Sequence, residues 1–227
     1  MTDEQLEVAN NFVDYHTKAF GFSKPNVEFR KGIIENLKES AGIDDNSIDC
    51  VISNCVVNLS PSKEQVFKEV WRVLKPGGEF YFSDVYSDRR IPLSLQNDKV
   101  LWGECLSGAL YIEDFRRVMA KVGFNYYYTV KQSEITVGNG EIEQQVGGIK
   151  FYSFTIRAYK IPELEDQCED YGEEAVYLGT LGSGHEQQFK FDRSHTFVKG
   201  VPLRICRNFA LVLTKCPLFN KHFEVSP

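Results

Sequence analysis

The sequence predicts an α/β fold: a doubly wound, mainly parallel sheet with a closing pair of strands and a small C-terminal appendage. The first observation behind this prediction is an apolar run over 50–53, followed by a helical pattern and a second apolar run over 79–84. A strand, a helix and a strand with short connections form a right-handed crossover between parallel strands. The second observation is the composition, with 42% hydrophobic and 26% charged residues among 227, which is enough for a sizeable core.

The first part of the chain is expected to form one helix and one short strand. Thr2 and Gln5 match a helix capping box, so we predict a helix over 3–19 that ends before Gly21. Residues 27–29 alternate between apolar and polar side chains, which predicts a short strand.

The crossover is predicted from its boundaries. Residues 50–53 form a continuous apolar run, which is typical of a parallel strand buried on both faces. Ser60 and Pro61 supply a cap and a first-turn proline for the next helix. The Lys-Pro-Gly-Gly sequence at 75–78 then ends that helix before the strand at 79–84. Such sheets bind ligands beyond the carboxyl ends of their strands, so we expect the chemistry there.

Further helical and strand patterns follow the crossover. A helix is predicted over 112–122, ended by Gly123. Two β-rich runs, 126–130 and 149–156, are expected to form the closing pair of strands, with a turn at 138–140 between them.

An acidic run divides the sequence into two predicted domains. Residues 163–174 are rich in Asp and Glu and follow an Ile-Pro pair, which is typical of a linker. We therefore predict a domain over 1–160, which carries the sheet and the site, and a small C-terminal domain over 161–227.

Composition excludes several classes of function. Acidic residues number 32 and basic residues 26, so the formal net charge is −6, and no Lys/Arg stripe indicates a nucleic-acid or membrane partner. No apolar stretch approaches the roughly 20 residues that span a bilayer, and the N-terminus does not resemble a secretory signal. Six cysteines are too few for a disulfide scaffold. We therefore expect a cytoplasmic protein with reduced thiols.

The crossover resembles the class I S-adenosylmethionine-dependent methyltransferases. The resemblance lies in the strand Asp-Cys-Val-Ile-Ser-Asn at 49–54, the helix end Arg-Val-Leu-Lys-Pro-Gly-Gly at 72–78 and the strand at 80–84. Within that class, five segments are similar to the arsenite methyltransferases: 1–6, 53–60, 102–111, 184–186 and 191–192. The resemblance covers essentially the whole sequence and implies a Rossmann-like class I methyltransferase sheet.

The resemblance also implies an activity, namely methyl transfer from S-adenosylmethionine to trivalent arsenic, which detoxifies arsenic. Cys55 and Cys105 would hold the arsenic as thiolates, and soft As(III) favours such ligands. Cys55 follows a strand at the ligand edge, and Cys105 lies among small residues that let a ligand approach, namely Gly103, Ser107 and Gly108. The implied substrate is arsenite or its thiol conjugates, and the implied reductant is a thiol such as glutathione or thioredoxin.

The resemblance places the cofactor against Met1, Ile34, Glu35 and Asn54. Ile34 and Glu35 would face the adenine, because a backbone amide and a carboxylate suit its ring nitrogens and exocyclic amine. Asn54 would contact the amino-acid end. Without the resemblance, Glu35 would be taken for a solvated helix residue.

The remaining cysteines are not expected to be arsenic ligands. Cys50, at the opposite end of the strand from Cys55, is predicted to be a small buried hydrophobic residue. Cys168 lies in the acidic run, where carboxylates disfavour a thiolate. Cys206 and Cys216 match no ligand of the family. We predict these last three to be incidental, the alternative being that one of them helps to bind metalloid. The spacings of zinc sites and of serine hydrolases are absent from the sequence.

One departure from the family gives rise to the competing hypotheses. No glycine-rich cofactor loop precedes a helix, so we expect this sequence to lack the first two strands of the family's sheet, together with the earliest arsenic-binding thiols. The alternative function is therefore a non-catalytic, truncated product that binds metalloid or a partner through its thiols. A third hypothesis is a methyltransferase for another small molecule.

Overall fold

The N-terminal helices begin as the sequence predicts. A computed structural model describes residues 2–103, 105–136 and 140–227. It divides into two units, Met1–Asp44 and Asp45–Pro227. In the first unit the predicted capping box is present, because the Gln5 N–H donates to Thr2 Oγ1 at 3.3 Å and the Thr2 N–H donates to Gln5 Oε1 at 3.0 Å.

The prediction of one helix over 3–19 is wrong in one respect, because the helix is interrupted at Phe12. It forms α1 (Asp3–Asn11) and α2 (Val13–Ala19). Asn10 Nδ2 donates to the Leu6 carbonyl at 2.9 Å, and the Phe12 N–H donates to the Ala9 carbonyl at 3.3 Å. The asparagine side chain thus competes with the backbone ladder at the interruption.

The predicted strand at 27–29 does not form. This stretch pairs with no other strand in the part of the chain that the structure describes, and a strand needs a neighbour for its N–H and C=O groups. Instead, Glu28 binds the guanidinium of Arg30 at 2.6 Å. The unit ends with the short helix α3 (Leu37–Ala41), capped by Asn36.

The second unit is built on the predicted parallel crossover and closing pair. Strand β1 lies parallel to β2, which also pairs in parallel with β3, whereas β2 with β5 and β5 with β4 are antiparallel. The sheet is therefore mixed, in the order β1-β2-β5-β4. Its strands are β1 (Ile48–Asn54), β2 (Leu74–Ser87), β3 (Leu110–Tyr111), β4 (Tyr127–Ile135) and β5 (Phe151–Tyr159).

The helices of this unit agree with the sequence where turn residues mark their ends. Helix α7 covers the predicted residues and ends at Gly123, whose φ of 115° a side chain would disfavour. Helix α4 begins after Ser62 rather than after Ser60. Ser60 instead ends a 3-10 turn that precedes this helix. Of the predicted turn at 138–140, only Gly140 is among the described residues, and it begins α8. The helices are the 3-10 turn Val57–Leu59, α4 (Lys63–Val73), α5 (Leu93–Gln96), α6 (Lys99–Gly103), α7 (Ile112–Val122) and α8 (Gly140–Val146).

One face of the sheet carries the aromatic core. Phe67 of α4 and Phe115 of α7 lie 5.8 Å apart between ring centroids and pack over Phe82. The prediction that the 50–53 strand is buried is wrong, because Ile52 on the opposite face is 78% exposed. Side chains of β1 alternate between the two faces of the sheet. On the face that carries Ile52, no element of the described part of the second unit covers this side chain.

The C-terminal residues form two small sheets and a helix. The three-stranded sheet has the order β10-β6-β9, and β7 pairs with β8. The predicted linker is tied to the core, since Ile161 and Leu164 are buried with Tyr128 and Tyr159 of the large sheet. The division into domains 1–160 and 161–227 stays a prediction. The elements are β6 (Glu174–Tyr177), β7 (Gln188–Lys190), β8 (Thr196–Val198), β9 (Pro202–Arg204), α9 (Arg207–Lys215) and β10 (Phe223–Ser226).

Candidate active site

Cys55 lies directly after β1 in a backbone conformation that few non-glycine residues adopt. Its φ is 53°, in the left-handed region. The Cys55 N–H donates to the Ser83 carbonyl at 2.9 Å, and its Sγ lies 3.6 Å from Asn54 Oδ1. The side chain is exposed. The sheet therefore holds the backbone while the thiol stays accessible at the carboxyl end of the strand.

Asp84 organises the segment that begins at Cys55. We name this segment, residues 55–60, the Cys55 loop. The buried carboxylate of Asp84 accepts the N–H of Asn58 at 3.0 Å and that of Val85 at 2.9 Å. Burial raises the pKa of Asp84 even though these N–H groups favour its charged form. Burial also raises the pKa of Cys55, and the charge of Asp84 adds to that increase.

Cys105 has the same unusual backbone as Cys55. Its φ is 60°, and its N–H donates to the Trp102 carbonyl at 3.0 Å. Among the described residues only Asn46, Cys55 and Cys105 combine a side chain with a positive φ. Such conformations cost of order 1–3 kcal/mol and cluster at functional sites. Both predicted arsenic ligands are thus in strained positions.

The Cys55 loop touches residues 105–109, which we name the Cys105 loop. A Cβ built on Gly108 would lie 2.4 Å from the Asn58 carbonyl oxygen, so only glycine permits this approach. Lys63 bridges the same region, because its Nζ donates to the Ser60 carbonyl at 2.9 Å and lies 5.2 Å from the ring centroid of Trp102. The structure therefore brings together the two loops that carry the predicted thiol ligands.

The Cys105 loop also carries a buried polar atom without a partner. Ser107 is 4% exposed, and its Oγ has no hydrogen-bond partner in the described part of the chain. A buried hydroxyl in this state loses its interaction with water without compensation. A polar ligand on this loop would satisfy it.

An open cleft of about 720 Å³ lies beside Ile52 of β1, and we name it the β1–β2 cleft. Asn54 lines it beside Ser83, its partner in the β1–β2 register. It lies at the carboxyl end of β1, beside the middle of β2, and sheets of this type bind ligands at the carboxyl ends of their strands. The full lining is Ile52, Ser53, Asn54, Tyr81, Ser83 and Thr155.

The other predicted cofactor residues lie elsewhere in the chain. Met1 lies outside the described residues. Ile34 and Glu35 are in the first unit, where they form a half-buried turn closed by the Asn36 N–H on the Ile33 carbonyl at 2.9 Å. Their contact with a cofactor stays a prediction.

The structure changes the interpretation of the remaining cysteines. Cys50 was predicted to be buried but is exposed, because β1 lies at one end of the described sheet. Cys216 is fully buried in the core. Cys168 and Cys206, predicted to be incidental, line one pocket. Their spacing in the sequence carries no signal of this contact, and neither the Gly108 contact nor the Lys63 bridge was predicted.

Comparisons with known proteins bear on this arrangement. Residues 1–123 match the methyltransferase domain family. The sequence is 46% identical to the arsenite methyltransferase of Aquipseudomonas alcaligenes over 99% of this chain and 63% of that protein. It is 46% identical to the mouse arsenite methyltransferase over 100% of this chain and 59% of that protein.

A solved structure gives the same answer for the fold. The crystal structure of an arsenic(III) S-adenosylmethionine methyltransferase from Chlamydomonas reinhardtii matches with a TM-score of 0.93 and 45% identity, over 99% of this chain and 74% of that one. The chain belongs to the arsenite methyltransferase family. The resemblance and the α/β methyltransferase fold inferred from the sequence are confirmed.

The curated relatives in these comparisons are transferases, and the non-catalytic alternative is not favoured. The chain spans 63% and 59% of the length of these two curated members of the family. No helix in the described residues is long and apolar enough to cross a membrane.

Proposed function

We propose that this chain takes part in methyl transfer from S-adenosylmethionine to trivalent arsenic. One observation carries the proposal: Cys55 and Cys105 both have left-handed backbones and lie on loops that touch at the carboxyl edge of the sheet. Strain at two thiols in adjoining loops is difficult to explain by packing alone, since Cys55 is exposed.

The two thiols would hold arsenic and orient it. Arsenic in its trivalent state makes three bonds and keeps a lone pair, and its softness favours sulfur ligands. With two bonds to Cys55 and Cys105, the arsenic lone pair has a fixed direction. The lone pair is the nucleophile, so no protein general base is required and positioning supplies most of the rate enhancement.

The raised pKa of Cys55 has a consequence for binding. Burial and the charge of Asp84 keep this thiol protonated at neutral pH, so its proton must leave when sulfur bonds to arsenic. A hydroxyl group on the incoming arsenite accepts that proton and departs as water. The exchange therefore requires no protein base either.

The β1–β2 cleft suits the amino-acid end of S-adenosylmethionine. Its volume of about 720 Å³ lies within the range of small-molecule sites, and Asn54, Ser53 and Ser83 offer amide and hydroxyl groups to a carboxylate and an ammonium. When bound, this cofactor supplies a methyl group on a positively charged sulfur. For the adenine, Ile34 and Glu35 of the first unit stay the residues that the resemblance implies.

Turnover requires electrons from outside the site. Arsenic gives its lone pair to the new As–C bond, so two electrons must be returned before it is trivalent again. A thiol reductant such as glutathione or thioredoxin would supply them. A cytoplasmic location suits this requirement, because thiols stay reduced there.

The thiol ligands provide the test. Cys55→Ser and Cys105→Ser should each lower arsenite methylation by the full-length protein at least about 100-fold, because a hydroxyl is a poor ligand for soft arsenic. Methylated arsenicals would be separated by chromatography and quantified by arsenic-specific mass spectrometry. Cys50→Ser is the matched control, because Cys50 is an exposed thiol on β1, outside both loops.

Two outcomes would contradict the proposal. One is a Cys105→Ser protein that methylates arsenite at the unaltered rate. The other is an equal loss of activity in Cys50→Ser, which would mean that any thiol loss disables the protein.

A further inference from the structure

Cys168 and Cys206 are brought together by hydrogen bonds between the segments that carry them. The N–H of Arg207 donates to the Glu169 carbonyl at 2.8 Å, so the residues that directly follow the two cysteines are bonded. Both thiols line the same pocket, and the neighbouring Cys206 adds to the increase that burial causes in the pKa of Cys168. The two thiols are free rather than joined in a disulfide.

Asn208 fixes this arrangement from within the core. It is fully buried, and its Oδ1 accepts the Glu165 N–H at 2.8 Å. Its Nδ2 donates to the Glu165 carbonyl at 2.9 Å and to the Gln167 carbonyl at 3.0 Å. The segment before Cys168 is thus tied to the first turn of α9, whose N-cap is Cys206. The thiol pair is built into the fold.

The two thiols line a pocket of about 340 Å³ that contains an unsatisfied hydroxyl, and we name it the thiol-pair pocket. Tyr128 lines it and is 4% exposed, yet its Oη has no hydrogen-bond partner in the described residues. Burial raises the pKa of Tyr128, and the neighbouring Cys206 and Cys168 add to the increase. A buried hydroxyl without a partner beside two thiols indicates a ligand with at least one oxygen.

The pocket lining also includes polar residues that hydrogen bonds hold in place. His195 Nδ1 lies 2.9 Å from Asp192 Oδ1, and the same carboxylate oxygen accepts the N–H of Ser194 at 2.8 Å. Burial alone would raise the pKa of Asp192, but the hydrogen bonds from His195 and Ser194 outweigh it, so the pKa is lowered. The Asp192 carboxylate therefore stays charged and holds the imidazole in place.

We propose that Cys168 and Cys206 form a second, two-thiol site for trivalent arsenic, in which the remaining arsenic hydroxyl is hydrogen bonded by Tyr128. The choice of arsenic rests on the proposed function of the chain. Two S–H bonds and two As–OH bonds break, two S–As bonds form and two water molecules leave. Arsenic stays trivalent, so no oxidant or reductant is required.

The number of ligands distinguishes this site from a zinc site. Zinc in proteins takes four ligands, and no group of three or more His, Cys, Asp and Glu residues in the described chain is arranged to hold a metal ion. Trivalent arsenic makes only three bonds, of which two go to sulfur and one to oxygen. Cys168 and Cys206 supply the two sulfur ligands, and the hydroxyl that arsenic keeps is the third.

A redox disulfide is the weaker interpretation of the same pair. Desolvation, with the neighbouring Cys206 adding to it, raises the pKa of Cys168 to about 12. The thiolate is the nucleophile in thiol–disulfide exchange, so Cys168 is a poor attacking group at neutral pH.

The test uses sodium arsenite and the full-length protein carrying Cys55→Ser and Cys105→Ser, in which the primary site is removed. The protein is reduced, incubated with arsenite, alkylated and mapped by peptide mass spectrometry. We expect arsenite to protect Cys168 and Cys206 together. Native mass spectrometry should show a gain of one arsenic and one hydroxyl less two hydrogens, assigned to this pair by its loss in Cys168→Ser.

Matched variants complete the design. Cys168→Ser should abolish protection of Cys206. Because Cys168 is exposed, we expect this variant to fold like the unaltered protein. Tyr128→Phe keeps the packing but loses the hydroxyl, so affinity should fall about two- to tenfold. Cys50→Ser should leave protection of the pair unchanged.

Three outcomes would overturn the proposal: alkylation of both thiols despite arsenite, protection of Cys206 that persists in Cys168→Ser, or a Cys168–Cys206 disulfide that survives the reductant. Failure of the proposed function is a separate result. It would appear as arsenite methylation at the unaltered rate in Cys105→Ser, and it would not alter protection of the thiol pair.

Discussion

The Cys55 and Cys105 loops and the thiol-pair pocket hold sulfur atoms in different ways. In the two loops, each cysteine has a left-handed backbone and the loops meet through glycine. In the pocket, Cys206 has an extended backbone with φ of −81° and ψ of 166°, and hydrogen bonds from Asn208 set the position of its neighbour segment. Strain and close backbone contact organise the first region, whereas satisfied polar groups organise the second.

This difference predicts which substitutions each region tolerates. A site held by backbone approach is sensitive to one methyl group, because backbone atoms cannot move aside as a flexible side chain can. A site held by a buried amide is sensitive to the loss of hydrogen bonds. The two regions should therefore respond to different changes.

Gly108→Ala provides the largest expected effect. The added methyl group would lie 2.4 Å from the Asn58 carbonyl oxygen, so the Cys105 loop must move away from the Cys55 loop. We expect arsenite methylation to fall about 100-fold, as expected for a displacement of about 1 Å in a reacting group. Chromatography of methylated arsenicals measures it.

Gly103→Ala is the control for this prediction. A Cβ at Gly103 meets no atom of the described residues within 4 Å, so the substitution should change the methylation rate little. Equal effects of the two alanines would show that the loop contact at Gly108 does not position Cys105.

Asn208→Ala tests the thiol-pair pocket. It removes three hydrogen bonds of 2.8, 2.9 and 3.0 Å and leaves the Glu165 N–H unpaired. We expect the free energy of unfolding to fall by about 2–3 kcal/mol, and alkylation of Cys168 to become faster. Chemical denaturation and timed alkylation measure these changes.

The exposed Asn220 supplies the matched control, since Asn220→Ala removes the same side chain outside the core. If Asn208→Ala and Asn220→Ala had equal stability and equal Cys168 reactivity, hydrogen bonding by Asn208 would not be what holds the pair.

Asp84→Asn has the smallest expected effect and concerns the pKa of Cys55. Burial raises that pKa first, and the Asp84 charge adds to the increase. Removing the charge should lower the pKa, so more thiolate is present at a given pH and the profile of alkylation rate against pH shifts to lower pH. The size is less than about one pH unit, because burial remains.

Asp88→Asn removes one negative charge from the neighbourhood of β2 without acting on Cys55. Its Oδ1 instead accepts the Lys150 N–H at 3.1 Å. An unchanged profile in Asp84→Asn, or a shift of the same size in Asp88→Asn, would contradict the assigned cause.

Much of the fold was predictable because its signals are local. The capping box at Thr2 and the bounds of α7, with Gly123 at its end, depend on residues a few positions apart. The parallel crossover followed from the order of apolar runs and a glycine-rich break. The resemblance to the arsenite methyltransferases identified the family and singled out Cys55 and Cys105 as candidate ligands.

Two of the wrong predictions, the strand at 27–29 and the burial of the strand at 50–53, have the same physical cause: each depended on what surrounds the segment. The strand at 27–29 needs a partner strand, and burial of Cys50 and Ile52 needs an element over their face. Neither requirement is visible in the alternation of side chains. Tertiary surroundings override local pattern in such cases.

The sequence by itself determined the fold class, the family and the two candidate thiol ligands, because these depend on order and local motifs. The contact of Gly108 with Asn58, the positive φ of both candidate ligand cysteines and the common pocket of Cys168 and Cys206 became visible only in the folded chain. Contacts between distant residues arise from packing of the whole chain. No spacing in the sequence records them.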